Sequence, residues 1–124
     1  MNVILDVGGV RLEGRLAGTP PALALARRLP LELPMERWGD EYYGDIGVGL
    51  GSFSGEKTEL LEIGDLAYWE PGNALCLFFG PTPASRGPQP RAASPVFPVG
   101  HVEGDWSAVR ALGPGVRIGL RGAG

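Results

Sequence analysis

One stretch constrains the fold of this chain more than any other. Residues 74–79, Ala74-Leu75-Cys76-Leu77-Phe78-Phe79, are apolar at every position. Leu75, Leu77 and Phe79 alternate with Ala74, Cys76 and Phe78, so a strand here has two apolar faces and needs cover on both. Each large side chain contributes about 1.5–3 kcal/mol on full burial. Pro71-Gly72 precedes the run and predicts the centre of a type II turn, which folds it back on a strand over Tyr68 and Trp69. Gly80-Pro81-Thr82-Pro83 follows as a rigid exit.

The cover has to come from the rest of one domain, because 124 residues support a single core. Val3, Leu5 and Val7 predict a strand, Gly8-Gly9 a tight turn, and Val10, Leu12 and Leu16 the returning strand. Thr19-Pro20 opens a helix as N-cap and first-turn proline. Its apolar face is Ala22, Leu23, Leu25, Ala26 and Leu29, and Pro30 ends it. Leu31, Leu33 and Met35 alternate into Trp38-Gly39-Asp40-Glu41, where Gly39-Asp40 suits a two-residue hairpin turn. That turn sets Trp38 opposite Glu41 and Arg37 opposite Tyr42.

The glycine-rich residues 44–58 read as a surface loop and residues 60–63 as a short strand. Residues 80–98 hold six of the twelve prolines, which argues for a long loop rather than a central strand. A strand resumes at residues 99–103. Asp105 then caps a short helix closed by Gly113-Pro114, and Val116, Ile118 and Leu120 form the last strand. About eight strands and two helices predict a mainly β fold over residues 1–124. Its natural packing is one closed antiparallel eight-stranded β-barrel with two short capping helices.

Composition narrows the function classes. The net charge is −3 and the basic residues are scattered, which argues against a nucleic-acid partner. No apolar run reaches the 18 or so residues needed for a membrane span, and residues 1–7 do not read as a leader. A cytoplasmic location is expected. One histidine and one cysteine do not make a zinc site, and neither a metal nor a cofactor is expected. Gly47-x-Gly49-x-Gly51 lacks the strand before it and helix after it that a nucleotide-binding loop requires.

The order of elements resembles the cyclophilin fold. The likeness is stronger to small cyclophilin-like proteins of bacteria and archaea without an assigned function. It is carried by Trp38-Gly39-Asp40-Glu41, Glu62-Ile63-Gly64-Asp65, Tyr68-Trp69, Pro71-Gly72, residues 74–80 with Thr82-Pro83, and Gly100 through Gly104. In true cyclophilins an arginine and a glutamine sit in a proline-binding groove. Here Arg37 corresponds by order, and no glutamine precedes Gln89. The resemblance therefore implies a binding module for a small molecule or a proline-containing peptide, with a divergent peptidyl-prolyl isomerase as the alternative.

The candidate residues follow from both arguments. Arg37 is the candidate catalytic group, because a guanidinium on the prolyl nitrogen would weaken amide resonance and its barrier of roughly 18–20 kcal/mol. Its other role is an ion pair with Glu36 or Glu41. Trp38, Glu41, Tyr43, Phe79, Pro81, Thr82 and Pro83 are the candidate ligand-binding residues, giving aromatic walls with one carboxylate. Trp69 and Phe79 equally suit core filling. Glu36, Asp40, Glu41 and Asp45 could run acid–base chemistry or hold a hard cation, or simply solvate a hairpin tip. Cys76 is expected to be inert in the core, and His101 structural.

Ten arginines against one lysine, few amide residues and proline-rich loops also suggest a heat-stable protein. A thermal melt is expected to give a midpoint above the roughly 45–65 °C typical of mesophile domains.

Overall fold

A computed structural model describes residues 1–124. β1 (Asn2–Val7) and β2 (Val10–Leu16) form the first hairpin, with Val7 paired to Val10. Gly8 and Gly9 between them hold φ of 53° and 92°, the left-handed conformation such a turn demands. Then come α1 (Pro20–Ala26), β3 (Leu31–Arg37), β4 (Glu41–Asp45), β5 (Thr58–Leu60) and β6 (Asp65–Trp69). β7 (Ala74–Phe78), β8 (Arg91–Glu103), α2 (Trp106–Arg110) and β9 (Gly115–Gly122) complete the chain.

All strand pairings are antiparallel. The hydrogen-bonded order β2-β1-β9-β3-β4-β7-β6-β8 returns to β2 through a β2–β8 pairing, so eight strands close a ring. Closure is tight at Gly14, where a Cβ would lie 1.9 Å from the carbonyl oxygen of His101. β5 pairs with the first half of β8 and stands outside the ring.

Period-2 alternation sorts side chains between the bore and the outer face. Val3, Leu5, Leu12, Leu33, Met35, Tyr42, Leu66, Tyr68, Leu75, Leu77 and Phe79 belong to the main buried core. A second buried cluster lies on the outer face: Leu61, Ala67, Cys76, Phe78, Ala92 and Val96, with Tyr43 and Trp69 packed against it. All five residues of β7 are buried, as its two apolar faces require. The bore takes one face, and the first half of β8 covers the other.

Strand directions put the two helices at opposite mouths. At one, α1 buries Ala22 and Leu25, but Leu23 is exposed and the Thr19 side chain makes no cap hydrogen bond. Residues 46–57 help close this mouth: Phe53 meets Tyr68 and Phe97 edge-on, at 6.0 and 6.1 Å between centroids. At the other, Asp105 Oδ1 accepts the Ala108 N–H and starts α2, which buries Val109.

Four predicted elements differ, the first being α1, which ends at Ala26 and not at Pro30. Pro71-Gly72 lies in a single 3₁₀ turn over Glu70–Gly72, not in a type II turn. Asn73 ends that turn in the left-handed region at φ 48°, held by its amide on Val48 O and by the Tyr68 hydroxyl. The strand expected at residues 60–63 is β5, two residues earlier. The loop expected over residues 80–98 stops at residue 90, and β8 carries Pro95 and Pro98 inside it. Both prolines are exposed, and Pro98 sits at a register shift against Leu66 and Ala67 where the ladder is already broken.

Arg37 pins the α2 mouth. Its Nε donates to Gly39 O at 2.8 Å, Nη1 to Arg110 O and Leu112 O at 3.0 and 2.7 Å, and Nη2 to Asp40 Oδ1 at 2.9 Å. The guanidinium also lies over the rings of Tyr42 and Phe79, at 5.7 and 5.1 Å. Arg37→Ala is expected to cost about 2–3 kcal/mol in denaturant melts, since it strips charged hydrogen bonds from the half-buried Leu112 carbonyl and Asp40 and frees two exposed carbonyls. Arg37→Lys is expected to recover only part of that, because an ammonium lacks the planar fork.

Candidate functional site

The hairpin joining β3 and β4 builds the site. Trp38 and Glu41 exchange backbone hydrogen bonds of 2.8 and 3.2 Å across Gly39-Asp40, and Gly39 takes φ 60°. Alternation then sends Trp38, Glu41 and Tyr43 to the outer face, and Arg37 and Tyr42 toward the bore. On neighbouring strands the same rule sends Cys76 and Trp69 outward.

These side chains line a cavity of about 250 Å³ between the barrel's outer face and the first half of β8. Trp38, Glu41 and Tyr43 come from the hairpin, Trp69 from β6 and Cys76 from β7. Ala92, Ala93, Ser94 and Val96 of β8 form the facing wall. The Trp69 indole N–H donates to Ser94 Oγ at 2.8 Å, which ties the two layers together at the rim. Gly72 underlies the same indole, and a Cβ there would come within 2.4 Å of Cζ3. The Tyr43 hydroxyl donates to Glu36 Oε2 at 3.2 Å.

Glu41 is the unusual member. It is 6% exposed, and the Cys76 thiol is the hydrogen-bond partner of its carboxyl. Loss of water raises that carboxyl from 4.5 to about 7, with the Cys76 thiol hydrogen bond pulling weakly the other way. Burial, and then the Glu41 charge, push the Cys76 thiol well up, so the cysteine stays a neutral thiol. The cavity thus holds one titratable carboxyl, poised near neutrality, among three aromatic walls.

The other sequence candidates lie elsewhere. Phe79 is fully buried in the bore, stacked on Tyr42 at 5.2 Å, with the sheet between it and the cavity. Arg37 is on that same inner side, and its partner is Asp40 rather than Glu36 or Glu41. Pro81, Thr82 and Pro83 buttress the hairpin turn: Pro81 O accepts the Asp40 N–H, and a Cβ on Gly39 would come within 2.7 Å of Pro83. Thr82 is buried, its hydroxyl donating to Arg91 O and its N–H to Ser85 Oγ. Of the acidic run, only Glu41 enters the cavity. Asp40 pairs with Arg37, and Asp45 accepts the Gly47 N–H.

Trp69, which the sequence left open between core and groove, lines the cavity, whereas the Ala92, Ser94 and Val96 wall was absent from the sequence reading. Trp69 had an outward phase that alternation from Leu77 across the β6–β7 ladder could have supplied. The β8 wall had no signal, since prolines masked that half-strand. His101 sits between Asp65, 2.9 Å from Nδ1, and Glu103 at Nε2. Burial alone would lower its pKa, but the two carboxylates hold it above the ordinary value. These three side chains are not arranged to hold a metal ion.

The family model for cyclophilin-like proteins matches residues 1–121. A hypothetical protein from Archaeoglobus fulgidus superposes with a TM-score of 0.79 at 29% identity, over 99% of this chain and 95% of its own. McbB, solved in complex with tryptophan, superposes with a TM-score of 0.71 at 17% identity. That match spans 98% of this chain and 45% of McbB, and at such identity it is a likeness of fold. Comparison with curated proteins gives no match.

The raised carboxyl makes a stability prediction. A folded-state value above the unfolded 4.5 favours the fold below that value and loses the benefit as pH rises through about 7. Glu41→Gln carries no such slope. Between about pH 5 and pH 8.5, denaturant melts are expected to show wild type losing about 2.5 kcal/mol relative to Glu41→Gln.

Proposed function

The chain belongs to the cyclophilin-like family, and from that premise we propose that it is a small-molecule-binding module whose site is the outer-face cavity at Glu41. One observation carries the reading. A carboxyl 6% exposed, without an N–H partner, faces a cavity walled by Trp38, Tyr43 and Trp69. Such a group costs folding free energy that an apolar side chain of the same size would not, and function is the usual reason it is kept. The volume of about 250 Å³ lies just under the roughly 300–1,000 Å³ of common ligand pockets, which suits one small molecule better than an extended peptide.

The isomerase alternative has less support. It needs a guanidinium free to approach a prolyl nitrogen beside an aromatic pocket. Arg37 spends its donors on Gly39, Asp40, Arg110 and Leu112, on the other side of the sheet from the cavity. In a protease-coupled assay on X–Pro peptides, no acceleration is expected at micromolar protein.

The binding reading is tested by amide and indole NMR with phenethyl alcohol as a neutral probe. Shifts are expected at the indole N–H groups of Trp38 and Trp69 and at Ser94, with Trp106 in α2 as the unmoved control. Silence at millimolar probe, or shifts centred away from β8 and the hairpin, would overturn it.

A further inference from the structure

We infer that the cavity takes a small organic ammonium ion, its cationic head on the Glu41 carboxylate and its apolar body among Trp38, Tyr43 and Trp69. The inference rests on the binding reading above and names the ligand class for that site. It follows from an inventory of charge. Among the residues lining the cavity, Glu41 is the one that ionises near neutral pH, and no lysine or arginine joins it. An anionic ligand would meet no counter-charge there. A neutral one would leave the ionised carboxylate with only the Cys76 thiol beside it and no counter-charge.

A second depression adjoins the first and repeats the pattern. It shares Tyr43 and Trp69 and adds Glu36 and Asp45, again without a basic residue. The outer face of β3 and β4 therefore presents three carboxylates, Glu36, Glu41 and Asp45, around two aromatic rings. Aromatic faces attract cations through their quadrupole, most strongly for indole, and they do so best where water is excluded. Trp69 is already held for the task by Ser94 and Gly72.

The groups facing Glu41 are few. β4 itself supplies Tyr43, whose hydroxyl is engaged by Glu36 of β3. β7 supplies the Cys76 thiol, while β3, β6 and β8 supply Trp38, Trp69 and uncharged small residues to the walls. Nearby on β8, Arg91 is paired with Glu59 at 3.1 Å and does not reach the cavity. Glu41 therefore controls the pH response of ligand capture: protonation removes the counter-charge and releases the cation.

The test compares three probes of one shape: phenethylammonium, phenethyl alcohol and 3-phenylpropionate, each titrated into the intact protein. At about pH 8.5 the ammonium is expected to bind at least about tenfold more tightly than the alcohol, and the propionate more weakly than either. At about pH 5.5 the ammonium is still a cation but Glu41 is protonated, so its advantage is expected to vanish while the alcohol is unaffected. Glu41→Gln should bring the ammonium to the alcohol's affinity at both pH values. Should that variant fail to fold, the wild-type pH comparison decides alone. Equal binding of all three probes at about pH 8.5, or an ammonium advantage that persists in Glu41→Gln, overturns the ammonium assignment and leaves the pocket standing. Absence of binding by all three removes both.

Discussion

The two-sided burial of β7 is the constraint on which the rest of this molecule depends. A strand with Leu75 and Leu77 on one face and Cys76 and Phe78 on the other cannot lie on a barrel wall open to water. The ring of eight strands covers the first face. The second is covered because β8 is long, 13 residues, and its first half runs past the barrel to lie with β5 over Phe78. The outer layer left by this arrangement seals below Phe78 and opens beside Trp38. Glu41, next to β7 in register with Phe78, is thereby largely taken out of water with no cation beside it and the Cys76 thiol as its partner.

Most of the fold was legible because its signals are local. Alternation in β1, β2, β3 and β9, the Gly8-Gly9 and Gly39-Asp40 turns, and the Asp105 cap each act within a few residues. The barrel's misread half-strand, residues 91–98, failed for a physical reason. Proline forbids a ladder donor only where the ladder needs one, and Pro95 and Pro98 point to solvent at a free edge and at a register shift. The Pro71-Gly72 turn was misread because Asn73 takes the left-handed position, bonded to Tyr68 and Val48.

At the site, Trp38, Glu41 and Tyr43 were legible as a set, because a two-residue turn and period 2 place all three on one face. Phe79 was assigned to the same set through density of aromatics, although its parity matches Leu75 and Leu77 and sends it inward. What no local pattern could disclose is Glu41's isolation. That depends on β8, more than fifty residues downstream in the chain, lying over it. Arg37 and Glu41 are four residues apart in sequence and on opposite sides of the sheet. One donates to three carbonyls and a carboxylate around the α2 mouth; the other has the Cys76 thiol alone. The first holds the hairpin rigid, and the second keeps the energetic cost that a site entails.

The account turns on Glu41 being a largely desolvated carboxyl in the folded protein, with the Cys76 thiol as its partner and no cation beside it. Carbon-detected NMR of its side-chain carboxyl, followed through a pH titration of the unliganded chain, tests this directly. The account predicts a titration midpoint near 7. A midpoint near 4.5, the value of a solvated glutamate, would contradict it.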